Sequence, residues 1–317
     1  MPGLMAYYKI VSLYPAGTDL LAELGLSGRV IAVSHRCDLP DSLDQIPRVT
    51  HPGVHRLVPV LPAGLNVEEQ VVQQLSHSLC KGDELDLETL RVLAPDLIIG
   101  RGDSADSAVL EAKVQEIWGA AAPDVVVYNP QTLAEGEEAL QNLAERLGHG
   151  DRAARLLDSQ RTRMTILAEK AADAVQATGQ RPTLAVVCGL NPVRLQGGWL
   201  PELVEQAGGA NLFVAPGGPD KYTTWLDIAA ANPDKLLLAL DNVTLEDAHR
   251  IVNEMHQEGD LRTLRAFRSK QVFFTDARRL TQRLGLNLGD TLQTLSEILH
   301  PKELGTRYLG QTWSEYF

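Results

Sequence analysis

The feature that most constrains the fold is the run of residues 151–177, which contains neither glycine nor proline. Apolar residues recur through it at helical spacing, among them Leu157, Met164 and Ala171, so that one face of an α-helix would be apolar. A helix over these residues would be about 40 Å long at 1.5 Å per residue. Two interpretations are open, a solvated surface helix and a rigid connector between two lobes. The connector is favoured because strands and helices alternate on both sides of it.

Short apolar runs separated by helical patterns predict the strands of both lobes. The predicted strands are Lys9–Leu13, Val30–Val33, Asp96–Ile99 and Val125–Tyr128 before the long helix, and Thr183–Cys188, Lys235–Leu240 and Gln271–Thr275 after it. Such alternation is typical of a parallel sheet covered by helices on both faces. The sequence therefore predicts an α/β protein with two Rossmann-like lobes joined by one long helix. The lobes would span residues 1–148 and 180–317, and the connecting helix residues 149–179.

Composition and charge narrow the possible partners. A formal net charge of −12 argues against nucleic acid and against anionic membrane surfaces as main partners. No window approaches the roughly 18 unbroken apolar residues of a membrane span, so we expect no membrane insertion. The three cysteines, Cys37, Cys80 and Cys188, are odd in number and far apart, which argues against a disulfide framework. No apolar leader precedes the first predicted strand. We therefore expect a cytoplasmic protein that binds a small molecule.

Open α/β sheets bind ligands beside the carboxyl ends of their strands, and this rule selects the candidate ligand-binding residues. They are Tyr14, Pro15, Ala16, Gly17, Thr18, His35, Cys37, Asp38, Arg101, Gly102 and Asp103 in the N-terminal lobe, and Trp199, Tyr222, Arg278 and Arg283 in the C-terminal lobe. In the first of these loops a helix is predicted to begin, with free backbone N–H groups. The small residues Ala16 and Gly17 are expected to let the backbone come close to a flat ligand.

His35 and Cys37 are also candidate metal ligands, since imidazole and thiolate both suit soft or borderline ions. His-x-Cys is not an established ligand spacing, however. The competing interpretation is structural: His35 hydrogen-bonds the loop backbone, and Cys37 packs as a small hydrophobic residue. Both interpretations are retained.

Three arginines, Arg278, Arg279 and Arg283, follow the last predicted strand of the C-terminal lobe. Guanidinium groups bind carboxylates or phosphate bidentately, so these residues are candidates for contact with an anionic ligand. Solvated surface charges are the equally open alternative.

No arrangement of acid, base and nucleophile is evident, so we expect no enzyme. Ser34 beside His35 does not make a nucleophile–base pair, because adjacent residues rarely point at one another. Gly100-Arg101-Gly102-Asp103 lacks the Lys-Ser/Thr ending of a phosphate-binding loop. Two alternatives to a binding protein remain. One is a metal- or tetrapyrrole-modifying enzyme that uses His35 and Cys37, and the other is an interaction protein without a ligand.

Five stretches resemble the cobalamin-type periplasmic binding proteins, and together they extend over nearly the whole chain. They are Ile10–Leu21, Val33–Pro40, Pro95–Asp103, Gly197–Asn211 and Leu295–Pro301. The second contains Ser34-His35-Arg36-Cys37-Asp38-Leu39-Pro40, which is similar to the Ser-His-x-Cys-Asp-x-Pro form of a signal-less, cytosolic cobalamin-binding branch of that family.

The resemblance implies the class III periplasmic-binding-protein fold, with a ligand held in a cleft between the lobes. Cobalamin or another corrinoid is the implied ligand, with heme or a ferric siderophore as alternatives. Pro15-Ala16-Gly17 would face one side of the ring, and Trp199 and Tyr222 would stack on the other. The protein would act as a carrier, a reservoir or the substrate-binding protein of an ABC importer. Members of the family that dock on a transporter expose one glutamate on each lobe tip. In the N-terminal lobe that position falls near Pro47, which argues against an ABC permease as a partner.

Overall fold

A computed structural model describes residues 7–37, 45–51, 84–102, 104–190, 192–241, 243–258, 261–281 and 284–317. The chain divides into two units. Among the described residues, the first unit contains those up to Ser159 together with residues 284–286, and the second unit contains the others. Segment 284–286 therefore packs in the first unit, although the chain on either side of it belongs to the second.

The first unit is built on a four-stranded parallel sheet. Its strands are β1 (Ile10–Ser12), β2 (Val30–Val33), β5 (Leu97–Arg101) and β6 (Asp124–Tyr128), hydrogen-bonded in the order β2-β1-β5-β6. A separate antiparallel pair consists of β3 (Thr50–His51) and β4 (Glu84–Leu85). The helices are α1 (Pro15–Glu23), α2 (Leu87–Leu93), α3 (Ser104–Trp118) and α4 (Leu133–Arg146). All four strands predicted for this lobe are present.

Apolar side chains leave both faces of this sheet, as expected for buried parallel strands. Ile10 and Ile99 lie in one cluster with residues of α1 and α4, such as Leu20. Val11 and Ile98 lie in a second cluster with residues of α2 and α3. Because the four strands are parallel, their carboxyl ends meet at one edge of the sheet.

The predicted long helix is present as α5 (Gly150–Thr178). Its residues 150–159 belong to the first unit and residues 160–178 to the second, so the division falls inside the helix. None of the described helices combines the length and the apolar composition that crossing a lipid bilayer requires.

The second unit is built on a mixed sheet of seven strands. Its strands are β7 (Thr183–Leu190), β8 (Val193–Leu195), β9 (Ala210–Asn211), β10 (Lys221–Thr223), β11 (Lys235–Leu238), β12 (Val272–Thr275) and β13 (Trp313–Glu315). The order is β10-β8-β7-β11-β12-β13, with β9 paired to β7. Its helices beyond α5 are α6 (Leu200–Gln206), α7 (Trp225–Ala231), α8 (Leu245–Glu258), α9 (Arg265–Arg268), α10 (Ala277–Thr281), α11 (Leu288–Leu299) and α12 (Pro301–Leu304).

The α/β fold class is confirmed, and the second sheet also contains antiparallel strands. The predicted strands β7, β11 and β12 are parallel, whereas β8 and β13 run antiparallel to their neighbours. The predicted strands therefore form the parallel centre of a sheet that is mixed as a whole. Strands of three residues are too short to show a period, so pairing with a long neighbour decides whether they form.

Candidate functional site

The carboxyl edge of the first sheet gathers residues from all four strands. Tyr14 follows β1, His35 follows β2, and Arg101 and Tyr128 are the last residues of β5 and β6. Arg101 and Tyr128 are directly paired in the register of the two strands, and the Gly102 amide donates to the Tyr128 carbonyl at 3.2 Å. The structure thus brings several predicted site residues together. It adds Tyr128, whose only signal in the sequence is an aromatic residue at the end of a predicted strand.

Tyr14 and Tyr128 form an aromatic pair at this edge, with ring centroids 6.0 Å apart. Burial raises the pKa of the Tyr14 phenol to about 12, although the charge of Arg101 opposes the shift. Burial likewise raises the pKa of Tyr128 to about 12, against the influence of Arg146. Both phenols are therefore protonated at neutral pH. Tyr14 is only 1% exposed and its hydroxyl donates to the Leu284 carbonyl. The half-buried Tyr128 and the exposed Arg101 are therefore the groups that can offer aromatic area, a hydroxyl group and a positive charge to a ligand.

The turn at Pro15-Ala16-Gly17 is the start of α1, with proline in the first turn of the helix. A Cβ atom on Gly17 would lie 3.1 Å from Tyr14 Cδ1 and 3.4 Å from side-chain atoms of Ile99 and Leu143. Packing inside the first unit therefore favours a small residue at position 17. Whether a ligand also approaches the backbone of Gly17 stays a prediction.

Ala16 and Thr18 are also buried. A Cβ atom on Gly285 would lie 3.0 Å from Ala16 Cβ, so segment 284–286 covers this side of α1. The Thr18 hydroxyl donates to Ser12 Oγ at 2.7 Å and lies 3.2 Å from Cys37 Sγ. The side chains of Ala16 and Thr18 are thus both engaged in contacts within the first unit. Their role in ligand binding stays a prediction.

The loop that carries His35 is held by Thr50 of β3 and by Arg48 just before it. His35 Nδ1 lies 2.7 Å from Thr50 Oγ1, which also accepts from the His35 amide at 2.9 Å. Arg48 Nη1 donates to the carbonyl oxygens of Ser34, His35 and Cys37 at 3.1, 3.2 and 2.7 Å. This geometry agrees with the structural interpretation of the loop.

Cys37 is 2% exposed and packs in the apolar core of the first unit. Burial raises the pKa of its thiol to about 11, although the Thr18 hydroxyl opposes the shift. A metal binds the thiolate, so this environment disfavours Cys37 as a ligand. In the part of the chain that the structure describes, no three His, Cys, Asp or Glu side chains gather as a metal site. Asp38, Asp103 and Arg283 lie outside the described residues, as does Cys80.

In the second unit, β10 is antiparallel to β8, and β8 is antiparallel to β7. The carboxyl end of β10 therefore reaches the same edge as those of β7, β11 and β12, and this places half-buried Tyr222 near it. Trp199 is the residue before α6 and is only 2% exposed. A ring that is so buried has no open face, so stacking on a ligand would require it to move. The stacking role of Trp199 stays a prediction.

Arg194 was not among the predicted site residues, yet it is central to the loops at this edge. Its guanidinium donates to Asp220 Oδ2 at 2.5 Å and also to Asp241. Burial lowers the pKa of Arg194, but the Asp241, Cys188 and Asp220 charges more than offset this and raise it. The only sequence signal was a charged residue inside the short apolar strand β8.

Arg278 binds a carboxylate of its own loop. Its Nη2 and Nε donate to the two oxygens of Asp276 at 2.9 and 3.2 Å. Burial of Asp276 acts to raise its pKa, but the hydrogen bonds and charge of Arg278 lower it overall. The side chain of Arg278 is 48% exposed. A ligand carboxylate would compete with Asp276 for this group, and whether Arg278 binds ligand stays a prediction.

Comparisons with known proteins place this geometry in context. The sequence profile of the family described as "Periplasmic binding protein" matches residues 10–279. The chain is similar to a periplasmic heme-binding protein from Pseudomonas aeruginosa, with 22% identity and a TM-score of 0.71 over 93% of this chain and 94% of that one. It is similar to the periplasmic vitamin B12 binding protein BtuF of Vibrio cholerae, with 20% identity and a TM-score of 0.63 over 92% and 96% of the chains.

A third similar structure is Helicobacter pylori CeuE with Ni(II) bound, with 15% identity and a TM-score of 0.64 over 94% of this chain and 85% of that one. At these identities the likeness concerns the fold alone. A search of curated protein sequences found no significant match.

Proposed function

The chain belongs to the periplasmic binding protein family, and from that premise we propose that it binds a corrinoid or a related metal chelate at the carboxyl edges of its sheets. The family consists of binding proteins and not of enzymes, which confirms the prediction of a non-catalytic protein. The observation that carries the proposal is the convergence of Tyr14, Arg101 and Tyr128 at one sheet edge. This is the edge at which open α/β sheets bind ligands.

The chemistry of this edge suits a flat ligand with polar substituents. The half-buried ring of Tyr128, packed beside buried Tyr14, supplies apolar contact area, and its protonated phenol can donate a hydrogen bond to an amide or carboxylate oxygen. Arg101 adds a cation that favours acceptor groups at the rim of the ligand. Corrinoids and hemes both combine a flat macrocycle with such substituents.

The relatives support the metal-chelate class, because they include a heme-binding and a vitamin B12 binding protein. The choice of a corrinoid rests on the Ser34–Pro40 motif, which resembles that of the cobalamin-binding branch. Heme and a ferric siderophore are the competing ligands. A role as carrier, reservoir or substrate-binding protein of an ABC permease follows from the same family membership and is part of the proposal.

Titration of the purified protein with hydroxocobalamin, hemin and a ferric tris-catecholate, each followed by visible spectroscopy and calorimetry, tests the proposal. We expect a saturable spectral change with hydroxocobalamin at a one-to-one ratio. Saturation with hemin alone or with the ferric chelate alone would reassign the ligand within the class. Absence of binding to all three would overturn the proposal.

A cytoplasmic location is also proposed, since Cys37 and Cys188 are free thiols and such thiols are typical of a reducing compartment. Fractionation of host cells that express the natural gene with a C-terminal tag tests it. Recovery in the periplasmic or membrane fraction would contradict it.

A further inference from the structure

Arg194 lies on β8 and is tied to two acidic residues from different segments of the second unit. Its Nη1 donates to Asp220, which precedes β10, and its Nη2 donates to Asp241, which follows β11. The side chain of Arg194 is only 17% exposed, and those of Asp220 and Asp241 are 33% and 27% exposed. Ion pairs shielded from solvent in this way are screened less than exposed ones.

Asp220 extends the network to the turn before α6. Its second oxygen, Oδ1, accepts from the Gly197 amide at 2.8 Å. The turn is further held by backbone hydrogen bonds between Gly198 and the residues before Asp220: the Gly198 amide donates to the Gly218 carbonyl at 2.7 Å, and the Gly217 amide donates to the Gly198 carbonyl at 2.9 Å. Trp199 follows directly. The orientation of this turn therefore depends on the carboxylate that Arg194 holds.

Arg194 is also tied to Tyr222 through the backbone, because the two residues are directly paired in the β8–β10 register. At the other side, the Asp241 amide donates to the Cys188 carbonyl of β7 at 3.1 Å. Arg194 thus links three chain segments that meet at the carboxyl edge of the second sheet, and two of them carry the predicted ligand-binding residues Trp199 and Tyr222.

Arg194 is also the charge that keeps the two carboxylates together. Asp241 Oδ1 is buried and has no hydrogen-bond partner among the described residues, so its carboxylate depends on the guanidinium at the other oxygen. Without the arginine, two partly buried carboxylates would repel each other and the loops that carry them would separate.

We propose that Arg194 is a positioning residue for ligand binding: it holds the Gly197–Trp199 turn and Tyr222 at the carboxyl edge of the second sheet in their binding arrangement. This inference rests on the proposed function. Arg194 itself need not touch the ligand, since its guanidinium is occupied by Asp220 and Asp241.

The test compares Arg194→Met with Arg163→Met as the matched control. Arg163 also pairs with an aspartate, Asp290, at 2.5 Å, and it is not part of the loops at the sheet edge. With hydroxocobalamin as the probe, or hemin or the ferric tris-catecholate if that is the one the parent binds, we expect Arg194→Met to raise Kd about tenfold. We expect Arg163→Met to change Kd by less than about twofold, as for a distant site.

A double-mutant cycle with Tyr222→Ala separates positioning from general loss of stability. If Arg194 acts by placing Tyr222, the double variant should lose much less affinity than the product of the two single losses. Multiplicative losses would overturn the proposal, as would an unchanged Kd in folded Arg194→Met protein. If Arg194→Met does not fold, Asp220→Asn replaces it in the cycle, since the amide is close in size and weakens the tie to Arg194.

Hydrogen exchange in the ligand-free protein gives an independent test of whether Arg194 holds this turn. We expect the amides of Gly197 and Gly198 to exchange at least about tenfold faster in Arg194→Met or Asp220→Asn than in Arg163→Met. Unchanged exchange at these amides would overturn the proposal even if ligand binding is confirmed. If the parent binds none of the three probes, the proposed function fails, and faster exchange would still support the positioning of the turn by Arg194.

Discussion

Leu284 occupies the space that a side chain on Gly136 would need, because a Cβ atom there would lie 2.4 Å from Leu284 Cγ. Leu284 is 3% exposed, and its carbonyl accepts a hydrogen bond from the Tyr14 hydroxyl at 3.4 Å. Segment 284–286 therefore packs against α1 and α4 of the first unit. This packing contact depends on the absence of a side chain at position 136.

Gly136→Ala should consequently weaken this contact. We expect a loss of about 1–3 kcal/mol in the free energy of unfolding, typical of overpacking a buried site, measured by urea denaturation. Gly28→Ala is the control, since a Cβ atom there meets nothing within 4 Å, and we expect a change within about 0.5 kcal/mol. Equal stability of the two variants would show that Leu284 does not pack against residue 136 in solution.

Gly17→Val should destabilise the first unit, because the added side chain would meet Ile99 and Leu143. We expect a loss of about 1–3 kcal/mol from overpacking, measured by thermal and urea unfolding. Gly17→Ala adds a single carbon and should cost less. A Gly17→Val protein with parental stability and weakened ligand binding would contradict this packing role and would support the prediction that Gly17 faces the ligand.

The buried thiol of Cys37 should make stability fall at alkaline pH. Its pKa is raised by burial from 9.0 to about 11, so between these values the unfolded chain has lost a proton that the folded chain still holds. The stabilisation is complete below pH 9 and is lost as the pH rises toward 11. At 1.36 kcal/mol per pKa unit, Cys37 accounts for up to about 2.7 kcal/mol. Urea unfolding from pH 8 to 11 measures it, and Cys37→Ala should show a shallower decline. An equal decline in both proteins would contradict this origin.

Tyr128→Phe should weaken ligand binding without unfolding the protein, because it removes one hydroxyl and keeps the ring beside Tyr14. Loss of one hydrogen bond corresponds to about 0.5–1.5 kcal/mol, measured as Kd by calorimetry. Tyr308→Phe is the control: Tyr308 donates to Asp290 at 2.8 Å in the second unit. Equal Kd values for the two variants would remove Tyr128 from the site.

Arg101→Gln should distinguish between ligand types. Loss of the cation should weaken hemin, which carries carboxylates, more than hydroxocobalamin, which carries amides, because a guanidinium can form a bidentate ion pair with a carboxylate but has no opposite charge to pair with on a neutral amide. The ratio of the two Kd changes is the measurement. Equal changes for both ligands would show that Arg101 does not meet ligand carboxylates.

Much of the fold follows from local patterns that can be recognised without knowing any distant contact. The break-free run at 151–177 predicts the helix Gly150–Thr178, and apolar runs predict strands such as Leu97–Arg101. These elements are specified by the periodicity of neighbouring residues, which the chain carries whatever its tertiary structure. The candidate edge of the first sheet follows from the same pattern together with the strand-end rule.

Other features depend on partners far away in the chain, and only the tertiary structure decided them. Gly136 is small because Leu284 lies beside it, and Arg194 is a link because Asp220 and Asp241 converge on it. Neither relationship can be recognised from the periodicity of neighbouring residues, since contacts between distant residues are set by packing and charge pairing. Sequence patterns therefore identified the elements and the edge, whereas close packing and buried ion pairs determined which side chains at that edge remain available to a ligand.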